Sequence, residues 1–328
     1  MSRNIYDLLS GNRFVLGDGA MGTVLQDLGL TGGAAPELWN AEHPEIIRQV
    51  FQDYVNAGSQ VIITNSFGGT SYRLKLHHAQ DRVAELNRAA AALAREVADQ
   101  GYLAGESILV GASIGPTGEL FEPMGALTHE AAAAAFAEQA AAMAEAGVDF
   151  FLIETMSDLD EVQAAVAGIR SVSDLPIAVT MTFDTKFRTM MGITPVRALQ
   201  TLSEAGIKII GANCGNGPAE IRRVMGEMAA VRPEGVYLIA QSNAGLPKWV
   251  DGDVHYDGTP AVMSDYALDM VAMGVNYIGA CCGSTPGHIQ AMGEALRTQP
   301  IPEHTTAAAD TGEAAPAARQ TRRSRTGA

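Results

Sequence analysis

The chain has 328 residues, 47% hydrophobic and 18% charged, which suits one barrel-sized globular domain or two smaller ones. No apolar run approaches the ~18 residues of a membrane span, and residues 1–14 lack the apolar stretch of a signal peptide, so a cytoplasmic protein without a membrane partner is expected. The net charge of −15 disfavours nucleic acid and favours small-molecule partners. Three cysteines, an odd and low number, argue against a disulfide framework.

Short apolar runs recur along the chain. They are rich in Val, Ile and Phe with almost no charge, which is typical of strands that are buried on both faces of a parallel sheet. There are eight, at residues 14–16, 61–64, 108–112, 150–153, 177–181, 209–212, 236–240 and 275–280.

Helix patterns with recognisable ends separate these runs. In residues 44–57, Pro44 takes a first-turn position and Gly58 follows the last apolar residue. Thr-Pro pairs at 194–195, 259–260 and 285–286 predict further helix starts, since Thr caps free N–H groups and Pro presets φ. The Ala-rich stretches 81–100 and 128–146 are also predicted helices, with Gly101 and Gly147 expected to end them.

The alternation of strands and helices predicts the fold. Eight strand–helix units in roughly 300 residues favour an α/β protein of the (β/α)8 TIM barrel type over a doubly wound open sheet. We expect one barrel domain over residues 1–300. Residues 301–328 have no apolar periodicity, so a disordered C-terminal tail is predicted there.

All three cysteines fall where a barrel of this type carries its active site, at the C-terminal ends of strands. Cys214 ends the sixth predicted strand in GANCGNG, and Cys281 and Cys282 end the eighth in IGACCGSTP. Free cysteines are often small core residues, but here each lies in a Gly-rich turn with little to pack against. Three converging thiolates would bind Zn²⁺ and leave its fourth position open, which marks a catalytic site. A substrate thiol is the natural soft ligand for that position.

Six motifs resemble the homocysteine S-methyltransferase family, which includes the homocysteine module of methionine synthase. They are DGAMGT (18–23), TNSFGG (64–69), GPTGEL (115–120), GANC (211–214), SNAGLPK (242–248) and GACCGSTPGHI (279–289). Longer stretches at 35–45, 64–77, 183–192 and 255–267 resemble the bacterial betaine–homocysteine S-methyltransferases. The resemblance covers about residues 10–298 and implies a zinc-dependent (β/α)8 barrel with Cys214, Cys281 and Cys282 as the metal ligands. Many members read GGCCG where this chain has Ala280 before the cysteine pair.

Homocysteine itself needs a carboxylate for its ammonium and N–H donors for its carboxylate. Asp18, followed by Gly19, Ala20 and Met21, offers both, although DGAMG alone could be only a turn. Glu154, after the apolar residues of FFLIE, could be a solvated loop acid. The resemblance favours Glu154 as a partner of Asp18 in holding the substrate ammonium.

The methyl donor is predicted less directly. A betaine site should enclose a quaternary ammonium with aromatic faces and supply a cation for its carboxylate. The aromatic candidates are Trp39, Tyr72, Phe183, Trp249 and Tyr256, and the cationic candidates are Arg73, Lys75 and Lys248. The animal betaine enzymes carry aromatic residues where this chain has Ala35, Gly68 and Thr155, so a betaine cage would be built differently here.

The sequence therefore leaves four possible functions. The leading one is a homocysteine S-methyltransferase of the betaine type, with methionine and dimethylglycine as products. S-methylmethionine, dimethylsulfoniopropionate or another sulfonium could replace betaine. A separate corrinoid protein could instead bring the methyl group. The remaining reading is a zinc-binding or structural protein without activity.

Overall fold

Parallel strands surround a barrel interior in a computed structural model that describes residues 4–103, 108–184, 186–250 and 253–298. The eight barrel strands lie in the spatial order β1, β10, β7, β6, β5, β4, β3, β2, and all of their pairings are parallel. The (β/α)8 fold predicted from the sequence is thereby confirmed. In chain order, the strands are β1 Val15–Leu16, β2 Val61–Ile63, β3 Leu109–Ile114, β4 Phe150–Met156, β5 Ile177–Met181, β6 Ile209–Cys214, β7 Tyr237–Ser242, β8 Pro247–Val250, β9 Asp253–Tyr256 and β10 Tyr277–Ala280.

The barrel is nearly closed, and its remaining seam lies between β1 and β2. Among the described strands these two share no regular ladder, but individual bonds cross the gap. The Gln60 N–H donates to the Leu16 carbonyl over 2.8 Å, and the Leu16 N–H donates to the Gln60 side chain over 3.1 Å. The Ile63 N–H donates to the Asp18 carboxylate over 2.7 Å. Asp18 therefore helps to close the barrel at the end where the strands terminate.

Helices cover the outside of the barrel and follow the predicted starts. Thr194 caps its helix by accepting the Arg197 N–H over 3.2 Å, and Thr259 caps in the same way. Gly101 does not end its helix, because the helix tolerates this glycine internally and continues to Leu103. The helices are α1 Ile5–Gly11, α2 Gly22–Asp27, α3 Trp39–Glu42, α4 Pro44–Asn56, α5 Ser71–Lys75, α6 Val83–Leu103, α7 His129–Glu145, α8 Leu159–Arg170, α9 Pro195–Glu204, α10 Pro218–Ala230, α11 Pro260–Ala272 and α12 Pro286–Thr298, with 3₁₀ turns at Pro36–Leu38 and Gln80–Arg82.

Apolar side chains fill the N-terminal half of the barrel interior. Phe150, Leu152 and Tyr277 belong to one buried cluster with the inward residues of the other strands. Ile5 and Leu9 of α1 join this cluster. Because a barrel interior packed in this way is a core and not a pore, the C-terminal mouth is where a barrel of this type carries its active site.

One pair of strands was not predicted. The antiparallel strands β8 and β9 form a hairpin inserted between β7 and α11, with Lys248 opposite His255. Its strands are only four residues long, so they carry too little periodicity to be recognised. No helix of the described residues is long and apolar enough to cross a membrane. The predicted tail at 301–328 lies outside the described residues, and the division at residue 300 stays a prediction.

Candidate active site at the barrel mouth

The three cysteines meet at the mouth of the barrel. Cys214 is the last residue of β6, and Cys281 and Cys282 follow directly after β10. Their sulfur atoms lie within 4.8 Å of one another, with 2.8 Å between Cys214 and Cys281 and 4.0 Å between Cys281 and Cys282. Zn–S bonds of about 2.3 Å would bring three sulfurs of one ion this close together. The donor set is therefore suited to a soft divalent metal.

Asn213, the residue before Cys214 on β6, fixes the position of this cluster. Its side chain is fully buried and accepts the Thr155 N–H over 2.9 Å and the Thr180 hydroxyl over 2.8 Å. Its amide group donates to the Thr155 hydroxyl over 2.7 Å and to the Cys214 sulfur over 3.5 Å. Cys214 and Thr155 both have positive φ, 57° and 60°, which is rare for residues other than Gly. The buried Asn213 network holds both residues in this conformation.

The β4 strand has an irregularity at the point where the site begins. Its register against β5 shifts between Ile153 and Met156, the two residues that flank Glu154 and Thr155. A bulge re-aims the side chains beside it. Glu154 and Thr155 accordingly both line the mouth cavity.

The loop after β1 packs onto the loop after β10. The Ala20 N–H donates to the Ser284 hydroxyl over 2.9 Å, and Tyr54 donates to the Ala20 carbonyl over 2.6 Å. A Cβ on Gly19 would come within 2.5 Å of the Ser284 oxygen, so only glycine allows this close approach. Residues 18–21 are thereby placed beside Cys281.

A cavity of about 510 Å³ opens above the thiols, a size within the range of small-molecule sites. Every residue predicted for the metal and for homocysteine lines it: the three cysteines, Asp18, Gly19, Ala20, Met21 and Glu154. The cavity also extends away from the thiols, along Ala35, Glu37, Phe67, Gly68, Arg73 and His77.

Two carboxyl groups beside the thiols favour a cationic ligand. Burial raises the pKa of Asp18 well above its usual value, against the bond from the Ile63 N–H, and the charge of Glu154 raises it further. Burial also raises the pKa of Glu154 to about 7, although the Ser113 hydroxyl donates to its carboxylate. An ammonium group bound between these two carboxyl groups would stabilise their ionised forms.

The thiols share their protons unequally. Hydrogen bonds from Cys214 and Cys281 hold the pKa of Cys282 well below its usual value. The pKa of Cys281 is well above its usual value because it donates to Cys214 and Cys282 and is buried. Without a cation, the three contacting sulfurs are therefore one thiolate and two thiols. A bound divalent ion would let all three ionise.

Gln241 was not identified from the sequence. It lies on β7, is 4% exposed and lines the cavity. Its side-chain oxygen is buried without a hydrogen-bond partner among the described residues. A buried polar atom of this kind calls for an explanation, and a ligand with an N–H donor would supply one. The only sequence signal was its position at the end of an apolar strand.

Most of the donor-site candidates lie elsewhere. Phe183 is in the core, 1% exposed, Tyr72 packs on the core, and Trp39 contacts His43 edge to face with ring centroids 4.7 Å apart. Lys75 is exposed and Lys248 pairs with Asp257 over 2.6 Å. Tyr256 packs over Gly283 and hydrogen-bonds with Cys282, and the Trp249 side chain lies outside the described part of the structure. Of the candidates whose side chains are described, only Arg73 lines the cavity.

Three cavity residues on this side, Glu37, Phe67 and His77, had no predicted role. Phe67 was visible within the TNSFGG motif and Glu37 within APELWN, but neither motif shows which way a side chain points. The three positions at which aromatic residues were noted as missing, Ala35, Gly68 and Thr155, do line the cavity.

Fold and site together define a (β/α)8 barrel protein with a three-cysteine cluster, able to hold a metal ion, at its mouth. The sequence profile described as homocysteine S-methyltransferase matches residues 15–296, and the chain belongs to that family.

Named relatives agree with this assignment. The chain is 30% identical to methionine synthase of Mycobacterium tuberculosis (strain ATCC 25618 / H37Rv) over 312 residues, covering 92% of this chain and 26% of that protein. It is 30% identical to methionine synthase of Mycobacterium leprae (strain TN) over 304 residues, covering 88% and 25%. The chain thus spans about a quarter of the length of these relatives. The metallated form of the homocysteine methyltransferase MmuM from Escherichia coli shares the fold, with a TM-score of 0.73, 24% identity and coverage of 90% of this chain and 99% of that one.

Proposed function

We propose that this protein transfers a methyl group to the thiol of homocysteine, giving methionine, at a zinc ion held by Cys214, Cys281 and Cys282. The observation that carries the proposal is the convergence of three thiols, within 4.8 Å of one another, on the wall of a cavity that also contains the buried carboxyl group of Asp18 and the partly buried one of Glu154. The family assignment supports the same acceptor.

Zinc is the metal proposed because the donor set is entirely thiol. Soft sulfur ligands select zinc over the hard ions magnesium and calcium, which prefer oxygen. Three protein ligands leave a fourth position for substrate. When bound there, zinc keeps a substrate thiol ionised at neutral pH and so supplies the nucleophile.

The amino-acid end of homocysteine fits the residues beside the thiols. We assign its ammonium to Asp18 and Glu154, with the unpartnered oxygen of Gln241 as a third acceptor. Its carboxylate is assigned to the backbone N–H groups of Gly19 and Met21. Ala20 is left out of this role because its N–H already donates to Ser284.

The chemistry of the transfer is a direct displacement. The homocysteine sulfur forms a bond to the methyl carbon of the donor while the bond from that carbon to the donor's nitrogen breaks. The nitrogen keeps the electron pair and leaves as a tertiary amine. The protein contributes by holding the two substrates in line, since positioning alone can supply much of the barrier reduction.

Glycine betaine is the donor that we propose, with dimethylglycine as the second product. Its support is the resemblance of four long stretches to the bacterial betaine enzymes and the presence of Arg73, a partner for a carboxylate, on the cavity wall. Sulfonium donors and a methylated corrinoid protein are the alternatives that the assay has to separate.

The test is methyl transfer by the purified, zinc-loaded protein with homocysteine and one donor at a time. The donors are glycine betaine, S-methylmethionine, dimethylsulfoniopropionate and a methylated corrinoid protein. We expect methionine and dimethylglycine in equal amounts with betaine. Methionine formed only with another donor would replace betaine and leave the acceptor and the metal in place. Absence of methionine with all four would overturn the proposed function.

A further inference from the structure

Beyond the thiols, the cavity contains a buried charge that the homocysteine site does not use. Glu37, in the 3₁₀ turn Pro36–Leu38, is 4% exposed and lines the cavity. One of its oxygens accepts the Gly68 N–H over 2.6 Å. No ion pair within 4.0 Å joins Glu37 to a cation among the described contacts. A buried carboxylate without a close counter-ion is costly, and a bound cation would offset that cost.

Gly68 makes the room that this carboxylate occupies. A Cβ at Gly68 would lie 3.0 Å from one Glu37 oxygen and 3.5 Å from the other. A larger residue there would push the carboxylate aside. Gly68 is also one of the positions at which the animal betaine enzymes carry an aromatic residue and this chain does not. The space that an aromatic ring would fill is therefore bordered by a negative charge.

Further groups surround Glu37 on the same side of the cavity. Phe67 precedes Gly68 and also lines the cavity, and it presents an aromatic ring. Arg73 and His77, on and just after α5, are close enough to Glu37 to lower the pKa of its carboxyl, which burial raises. The Arg73 guanidinium also lies against the loop after β3. One of its nitrogens is 3.2 Å from the position that a Cβ on Gly118 would take.

From this arrangement we propose a subsite for a methyl donor that carries both an onium cation and a carboxylate. Glu37 and Phe67 hold the onium group, and Arg73 with His77 holds the carboxylate. This inference rests on the proposed function and adds the residues that select the donor.

The two binding groups suit the chemistry of such a donor. A quaternary ammonium or a sulfonium has no N–H to donate, so it is recognised by negative charge and aromatic faces alone. The cation disappears when the methyl group leaves. Glu37 therefore stabilises the bound donor more than the transition state, so it raises donor affinity and does not accelerate the chemical step.

The first variant removes the charge and retains the shape. Glu37→Gln retains an oxygen for the Gly68 N–H, so the loop stays attached. We expect the KM for betaine to rise on the order of tenfold, with kcat unchanged or slightly higher and the KM for homocysteine unchanged. The matched control is Glu161→Gln, another buried carboxylate, which accepts the Thr117 N–H over 2.8 Å and does not line the cavity. It should leave the betaine KM unchanged.

The second variant tests the carboxylate half with less risk to folding, since Arg73 is half-buried. Arg73→Met should raise the KM for dimethylsulfoniopropionate on the order of tenfold and leave the KM for trimethylsulfonium, which has no carboxylate, unchanged. Lys75→Met, exposed on the same helix, is the control.

The outcomes separate this inference from the proposed function. If the wild-type protein methylates homocysteine from an onium donor but both variants retain wild-type KM values for every donor, the subsite is wrong and the proposed function stands. An equal rise in KM for donors with and without a carboxylate in Arg73→Met would also overturn its role. If the wild-type protein transfers methyl groups from no donor, the proposed function fails with it.

Discussion

Replacing Asn213 by Ala should damage both the stability of the barrel and its affinity for metal. The side chain is fully buried and makes four hydrogen bonds at the end of β6. Its removal leaves the Thr155 N–H, the Thr155 hydroxyl and the Thr180 hydroxyl without this partner. It also removes the N–H donor to the Cys214 sulfur. These losses fall on the strained segment that positions the metal site.

The size of the effect follows from these groups. Each buried polar group left unpaired costs about 1–3 kcal/mol, and water entering the vacated space reduces the cost toward the lower value. Three groups then give a destabilisation of roughly 3 kcal/mol. For a domain of about 300 residues that lowers the unfolding temperature by about 5 °C. Loss of a group that orients a metal ligand lowers metal affinity by about 10- to 100-fold.

Two measurements separate the two effects. Thermal unfolding of the metal-free protein gives the stability change, and competition with a chelator at a temperature well below unfolding gives zinc affinity. Thr180→Val removes only one bond to Asn213 and has no contact with the cysteine, so it should cost about 1 kcal/mol and leave zinc affinity unchanged. Asn216→Ala, in the next loop, removes exposed hydrogen bonds to Asp184 and Glu220 and should leave zinc affinity unchanged. Wild-type zinc affinity in Asn213→Ala would refute the argument that Asn213 positions the metal ligand.

The remaining predictions concern the thiols and the homocysteine site. Cys281→Ser should lose zinc and activity while far-UV circular dichroism still reports a folded barrel, and full zinc occupancy would refute the ligand assignment. Asp18→Asn and Glu154→Gln should each weaken homocysteine about 10- to 100-fold with zinc content unchanged, whereas unchanged affinity in both would return them to a structural role. In metal-free protein, the pKa of Glu154 is about 7, above its value in the unfolded chain, so its ionisation destabilises the fold as pH rises from about 4.5 through 7. The free energy of unfolding of Glu154→Gln should therefore equal that of the wild type near pH 4 and exceed it by on the order of 3 kcal/mol at pH 8. Thermal unfolding at several pH values measures this difference, and parallel curves for the two proteins would contradict the prediction. Gln241→Met breaks no hydrogen bond of the Gln241 side-chain oxygen, so the stability of the protein should not change. Its affinity for homocysteine, measured by calorimetry, should fall about tenfold, and an unchanged affinity would exclude Gln241 from the ammonium site.

The barrel was predictable because its signal is local. A strand buried on both faces is a short run of apolar residues, and all eight predicted runs overlap a barrel strand. The boundaries differ by a few residues, as at β3, which extends to Ile114, because hydrogen bonding and not composition ends a strand. The hairpin of β8 and β9 had no comparable signal.

The cysteine cluster could be predicted for a related reason. Cys214, Cys281 and Cys282 stand at strand ends, and parallel strands bring their C-terminal ends to one face whatever the exact register. Asp18 and Glu154 follow the same rule. Gln241 obeys it too, but a glutamine at a strand end is chemically unremarkable until its oxygen is found buried without a partner.

The donor side of the cavity could not be predicted in this way, because it is built from loops. Whether a loop aromatic faces the cavity or the core depends on packing with distant segments, and Phe183 and Phe67 differ in this alone. Glu37 and Gly68 are 31 residues apart, and only the fold shows that the missing side chain of one accommodates the carboxylate of the other. A full negative charge attracts an onium cation more strongly than a ring quadrupole does, and it also loses more when the methyl group leaves. A subsite built on Glu37 should therefore bind a charged donor more tightly than an uncharged analogue of the same shape.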